Sequence, residues 1–597
     1  TWDKQEANGF GQQNIAGQAG FSFLETAVPG ATSATSGSSF ASFLLGYADT
    51  GATETIRYLR QIYRYFGFYA QDDWRITRNL VLNYGLRYEF TLPPVSGGDQ
   101  YSDFSPTTPN PAVNNYLGAL IFAGDGAGRT GKRSLIPGYY GAVSPRLGIT
   151  YSPDSKTTIR AAAARSFGRV TVLASSSHYA GFIGQYSFAS TNQGITPAFN
   201  WDQGLPSYPL PPQINPAFAN NGNVDYWNGQ GSTRPAEYDS WTFSVQHELR
   251  RHLTVEADYN GVAGVHLNAG LMNLNQVPMS VVNGLIAKYG TTQAISLMNS
   301  NITSAQAVAA GIPIPYANFT NSAVQRSQTV AQALRAYPQY LTVDTAAGGG
   351  DRSGHSTYHA AILKINHRMS SLLTFQGSYA FAKLLTNADS FSGSGGSLDT
   401  ANPRLEKSVA GTDQTHVVKM STVFDLPFGK GRRWLAGGWG SRIAGGWRLS
   451  AIQIYNSGAP IGVTANGTLP IFNGTNRPVV TTYNWRAPIS GSDFDPNKDK
   501  YLDASVFPTQ PAGVLGNSPR RNSTVRNFSN YNENVSVAKT FHITERARLD
   551  FRAEAFNVFN RVVFGGPQTN LNNATFGTIS SQSNTPRQMQ GGIKLYW

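Results

Sequence analysis

The sequence predicts an all-β chain, a transmembrane antiparallel β-barrel, on three observations. Segments of alternating polar and apolar residues recur, each about 9–11 residues long, the length a tilted strand needs to cross a bilayer. Very short and very long connections alternate between them. No run of about 18 apolar residues is present to supply a transmembrane helix instead.

The strands follow in chain order. In "NLVLNYGLRYEF", Leu80, Leu82, Tyr84, Leu86, Tyr88 and Phe90 oppose Asn83, Arg87 and Glu89. In "LTVEADYN", Leu253, Val255, Ala257 and Tyr259 oppose Glu256, Asp258 and Asn260, and in "LLTFQGSYAF", Leu373, Phe375, Tyr379 and Phe381 oppose Thr374, Gln376 and Ser378. The clearest case is "RARLDFRAE", where Arg548, Asp550, Arg552 and Glu554 share one face and Ala547, Leu549, Phe551 and Ala553 the other. Such a strand suits a half-buried sheet in a soluble sandwich. It equally suits a barrel wall with a wet lumen and a lipid-facing outside.

The connections decide between the two. Short links fall at Arg75–Arg78, Ser152–Lys156, Arg250–His252, Arg368–Ser371 and His542–Arg546. Long Gly/Pro/Asn/Ser-rich stretches fall near 93–143, 168–237, 267–355, 387–415 and 458–531, with one medium link at 427–445. Compact soluble domains rarely contain loops beyond about 15 residues. Outer-membrane barrels combine short periplasmic turns with long extracellular loops as a rule. Counting gives about 14 strands, an even number, and the whole of 1–597 reads as barrel domain. Aromatic residues gather near strand ends, as in "YRYFGFYAQDDW", which fits interfacial girdles.

Composition agrees. Charged residues are only 14%, against about a quarter in soluble proteins. Lys and Arg give a net charge of +13 but are dispersed, without the concentrated basic footprint of a nucleic-acid binder. Cysteine is absent, which suits passage through an oxidising periplasm. The first residues, "TWDKQEANGF", show neither a signal peptide nor an initiator methionine, so the chain is expected to be a processed product or a fragment.

Chemistry-bearing patterns are few. In "FAGDGAGRTGKRS", Gly126, Gly131 and Lys132 have phosphate-loop spacing, but Arg133 stands where the magnesium-binding Ser or Thr belongs, so a flexible basic loop is expected. Asp493, Asp495, Asn497 and Asp499 alternate as in a calcium loop, yet the glycine and distal glutamate of an EF-hand are missing; a solvated turn is the competing reading. The nine histidines have no metal-ligand spacing, and no nucleophile elbow or convergent carboxylate pair suggests an enzyme or calls for a cofactor. Within the link after Leu267, Ser280–Asn301 has helical spacing at Val282, Leu285, Ile286 and Tyr289 and is expected to form a helix that organises it. On the strands, Arg87, Glu89, Glu256, Asp258, Arg548, Asp550, Arg552 and Glu554 are expected to face the lumen, either holding a plug or only stabilising the wall.

Several strings resemble one family. "FYAQDDWRITRNLVLNYGLRYEFTLPP" (Phe68–Pro94), "SPRLGITYSP" (Ser144–Pro153), "FDLPFGKGRRWL" (Phe424–Leu435), "GGWRLSAIQIYNSGAP" (Gly445–Pro460) and "RLDFRAEAFNVFNRVVFGGP" (Arg548–Pro567) are similar to the Oar-like TonB-dependent outer-membrane receptors. "ASFLLGYAD" (Ala41–Asp49) and Ser356–Lys383 match the same family, so the resemblance covers nearly the whole chain. It implies a barrel of about 22 strands with a plug inside it. Fewer strands, no plug and no TonB box are found here, so this looks like the C-terminal portion of such a receptor. The implied function is uptake of an unidentified nutrient, with a TonB-type protein acting through an upstream plug. A plug-free porin, or an adhesive surface barrel without transport, are the alternatives.

The chain ends "QMQGGIKLYW", and Ile593, Leu595 and Trp597 fall on one side of the final strand. They are expected to face outer-membrane lipid, with Trp597 at the periplasmic interface. A terminal aromatic after alternating apolar residues also resembles the signal read by the barrel-assembly machinery.

Overall fold

The computed structural model describes residues 2–9, 16–29, 36–55, 59–168, 176–190, 192, 194–227, 233–320, 328–345, 350–369, 372–389, 396–467, 469–489, 493–544 and 546–597. Ser370 and Ser371, within the expected turn at Arg368–Ser371, and Glu545, within that at His542–Arg546, lie outside the described residues.

Fourteen strands form one continuous sheet in chain order: β1 (Trp2–Gly9), β2 (Leu59–Arg75), β3 (Leu80–Thr91), β4 (Tyr139–Tyr151), β5 (Thr157–Phe167), β6 (Glu237–Arg250), β7 (Leu253–Leu267), β8 (Gly354–Met369), β9 (Leu373–Thr386), β10 (His416–Asp425), β11 (Trp447–Asn456), β12 (Asn530–His542), β13 (Arg548–Phe556) and β14 (Gln588–Tyr596). Each pairs antiparallel with the next, an up-and-down meander. One edge of the wall carries the links 76–79, 152–156, 251–252, 370–372, 426–446 and 543–547, and the other carries 10–58, 92–138, 168–236, 268–353, 387–415, 457–529 and 557–587. The turns are tight for local reasons. Asp154 accepts from the amides of Lys156 and Thr157, both at 2.7 Å, an Asx turn that reverses the chain without help from elsewhere. His252 takes φ 68°, closing the two-residue turn before β7.

The registers carry one face across the entire wall. Directly opposed residues point to the same side. Ser144 opposes Arg87, Ala164 opposes Arg146, Ser244 opposes Arg160, and Glu256 opposes Gln246. Lys364 opposes Glu256, Ser378 opposes Lys364, and Lys419 opposes Ser378. Ile454 opposes Lys419, Asn532 opposes Ile454, Ser536 opposes Glu554, and Gln590 opposes Glu554. The opposite face presents Phe68, Leu86, Leu147, Phe243, Leu363, Tyr379, Leu449 and Ile593, all exposed. A contiguous apolar band of that width is a surface for lipid rather than water. The alternation inverts locally in β11, where Ile452 and Ile454 take the polar face and Gln453 the apolar one.

Among the described residues, the long links are not free polar loops. They pack into a cap with its own hydrophobic cores. Ile461, Val463, Trp485, Leu502 and Phe507 of the link 457–529 close over Phe576 and Ile579 of 557–587. Phe104 and Phe122 meet Val224, Tyr340 and Val343, joining three links, and Val282 and Met298 meet Leu469 and Ile471. Two antiparallel pairings strengthen it: Ser102–Asn110 forms a hairpin with Tyr116–Phe122, and Thr50–Glu54 of one link pairs with Gln185–Ala189 of another. The single helix expected over 280–301 is two, Met279–Tyr289 and Thr291–Asn299, because Gly290 adopts φ 78° and ends the first.

Candidate functional site

The register places all eight charged residues expected in the lumen on one side of the wall, and their neighbours complete them. Glu256 and Asp258 are two residues apart on β7 and would repel each other. Lys364 of β8 removes the conflict, with its ammonium 3.0 Å from Glu256 and 2.7 Å from Asp258. Sequence reasoning missed Lys364; the signal was a lone cation at the polar position of the otherwise apolar stretch "AAILKI". On β3, the Glu89 carboxylate accepts from Arg87 and from the Tyr65 hydroxyl. On β13, Arg552 pairs with Glu554 and donates to Ser536 Oγ at 3.2 Å. Asp550 accepts from Thr540 Oγ1 at 2.8 Å, and Glu554 accepts from Gln590 Nε2 at 2.5 Å. Arg548 is 3.9 Å from Asp550 and stacks over Tyr596 at 4.2 Å. These groups form separate patches around the wall, on β3, β7–β8 and β12–β14, rather than one convergent centre.

Above the wall the cap is held by charge. Arg477, Arg520 and Arg526 of the link 457–529 each reach 2.6 Å from a carboxylate of 387–415: Glu406, Asp389 and Asp413. Arg520 also donates to the carbonyl of Thr386, at the end of β9, at 2.7 Å. Burial lowers the affinity of its guanidinium for the proton. The acids lie in a stretch of low complexity and the arginines about a hundred residues on, so no motif joins them.

A second polar knot lies inside the cap. His178 stacks on Trp227 with ring centroids 3.7 Å apart, and its Nδ1 is 3.4 Å from Asp103 Oδ1. Asp103 accepts from the Trp227 amide at 3.0 Å. Burial raises the Asp103 carboxyl against the opposing pull of His178. Burial likewise pushes Asp225 up to about 6. Arg335, held under Phe472 at 3.6 Å, is lowered by burial to about 10.

The Asp493–Asp499 segment closes on itself. Asp495 accepts from the Asn497 amide at 3.0 Å and pairs with Lys498 at 3.0 Å, while Asp499 accepts from the Asp495 amide at 2.8 Å. Among the described residues no group of three His, Cys, Asp or Glu side chains converges as metal ligands. The phosphate-loop look-alike is a tight turn in which Arg129 donates to the carbonyl of Asp99 at 2.9 Å and Arg133 pairs with Asp99 at 2.8 Å. Ile593 and Leu595 lie opposite Phe551 and Leu549 on the apolar face, and Trp597 follows the last strand, fully in the open.

No curated protein matches this chain. Among solved structures it is similar to the ferripyoverdine receptor of the outer membrane of Pseudomonas aeruginosa, at 9% identity and a TM-score of 0.37, covering 91% of this chain and 40% of that one. It is similar to the ferric citrate transporter FecA at 11% identity and a TM-score of 0.37, covering 92% and 50%. The outer membrane transporter YddB from Escherichia coli gives 9% identity and a TM-score of 0.39, covering 90% and 55%. The chain thus spans about half the length of these structures. A family model, the outer membrane beta barrel domain, matches residues 1–590. The apolar face, the polar ladder opposite it and this match agree, and the chain is an outer-membrane protein that belongs to the outer membrane beta barrel domain family.

Proposed function

We propose that this chain is the barrel of a receptor that carries an unidentified nutrient across the outer membrane, coupled to a TonB-type protein through a plug preceding Thr1. The observation that carries the reading is the pairing of a charged inner wall with a folded cap. The polar ladder from Arg87 to Glu554 lines the lumen, its charges already partnered, and gives a plug a surface rich in donors and acceptors. The long links lie outside the cell, the short turns in the periplasm, and the cap is a preorganised capture surface. The Oar-like strings support the same reading. Ile593, Leu595 and Trp597 serve assembly and lipid contact.

Planar-bilayer conductance of the complete protein tests it. The receptor reading expects a closed pore that opens when the plug is displaced by denaturant. Steady ohmic conductance without denaturant would establish a porin. Failure to bind the periplasmic domain of TonB, with ligand capture intact, would favour a surface adhesin.

A further inference from the structure

The link 426–446, between β10 and β11, is the one connection on the short-turn edge long enough to fold. It holds Lys430, Arg432, Arg433 and Arg442 and no carboxylate. The C-terminal end of its helix, Gly438–Ala444, is tied to the apolar face of the wall. The tie is Lys539 of β12, which opposes Trp447 and Phe551 and so points outward. A cation there needs acceptors, and its ammonium donates to the carbonyls at the end of the helix, Arg442 at 2.9 Å and Ile443. The Trp447 indole donates to the same Ile443 carbonyl at 3.0 Å. Once docked, the link turns its large apolar groups outward: Trp439 is 77% and Ile443 68% exposed, with Trp434 and Leu435 beside them. Arg433 lies over Trp434 and Arg442 over Trp439, each at 5.5 Å. A cleft of about 900 Å³ opens between the link and the end of β12, lined by Lys430, Arg432, Arg442 and His542 among others; Asp425, in the adjoining cleft that shares Arg432, is paired with Arg448 at 2.7 Å.

Exposed tryptophans and cations on the lipid side of a barrel rim are the composition of an interfacial segment. We propose that the link 426–446 binds the phosphate headgroup of an anionic phospholipid in the periplasmic leaflet, of the phosphatidylglycerol class. The aromatic and aliphatic groups enter the acyl boundary, and Lys430, Arg432 and Arg442, which line the cleft, hold the phosphate. Charge complementarity and position at the rim select this occupant, and the choice of leaflet rests on the orientation proposed above.

Native mass spectrometry of the detergent-solubilised protein with added phosphatidylglycerol or phosphatidylcholine tests the site. Phosphatidylglycerol is expected to be retained in preference. Each of K430Q, R432Q and R442Q should weaken that retention about fivefold. The joint exchange K430R/R432K/R442K should keep it, which separates charge from folding. Equal retention of both lipids, or an undiminished preference in all three single variants, overturns the proposal. Displacement of the lipid by inorganic phosphate alone would reassign the cleft to a free anion and overturn it as well. Orientation is read separately. The chain has no cysteine, and a side chain at Gly437 would meet nothing within 4 Å, so G437C is a clean probe. An impermeant maleimide should not label it in intact cells. Labelling there would overturn the choice of leaflet while leaving the phosphatidylglycerol preference in micelles as measured.

Discussion

Arg477 Nη1 lies 2.6 Å from Glu406 Oε2, with only 5% and 1% of the two side chains left to solvent. The guanidinium also donates to the carbonyls of Ser518 and Leu405, at 2.9 and 3.1 Å, and Glu406 accepts from the Leu398 amide at 2.9 Å. A buried pair so completely satisfied is costly to break from one side, because the remaining charge has no water to turn to. Glu406→Gln is expected to destabilise the cap by about 3–5 kcal/mol and leave the wall unaffected. Limited proteolysis should then cut within 457–529 while heat-modifiable gel mobility stays normal.

The cap should tighten in mild acid. Asp225 has a folded value of about 6 against an ordinary 3.8, and buried Asp103 moves the same way. The folded state therefore binds these protons more tightly than the unfolded chain does. Asp225's stabilisation is complete below its ordinary value and is lost as pH rises through about 6, with an upper bound of about 3 kcal/mol. Protease resistance of the cap should fall across that window, and Asp225→Asn should flatten the dependence.

Adjacent residues on β8 should respond oppositely to the same change. Leu363 is on the apolar face and Ile362 on the polar one. Leu363→Arg near mid-strand is expected to cost about 2–4 kcal/mol. Ile362→Arg should stay within about 1 kcal/mol, since the guanidinium reaches water. Urea titration of the barrel refolded into vesicles compares the two; equal costs would refute the assignment of faces.

Trp597 is 90% exposed and lies beyond the last strand. Its removal should leave folded stability within about 0.5 kcal/mol yet lower the amount of protein assembled in the outer membrane. Normal surface levels of Trp597→Ala would refute the assembly role.

The wall was largely legible and the cap was not. A period of two is written residue by residue, as in Arg548 to Glu554, and the registers then place Arg87, Glu256 and Glu554 on one face. The alternation hides what depends on partners. Lys364 acquires its role from Glu256 on the neighbouring strand. The first strand, Trp2–Gly9, and the long link 557–587 were not anticipated, because neither carries a clean alternation or a tight-turn signal at its ends. In the cap, Trp485 and Phe507 are core residues set among Gly, Pro and Asn with no periodicity, so composition reads as loop where contacts make a domain.

The way the links fuse also bears on how this protein is seen from outside the cell. Ile461 and Phe576, or Val282 and Leu469, are far apart in the chain and adjacent in the cap. On the orientation proposed here, the surface offered to an antibody or a phage is a mosaic of several segments rather than one continuous stretch. Sera raised against linear fragments of those segments should miss the intact bacterium, and only the folded protein should serve as immunogen.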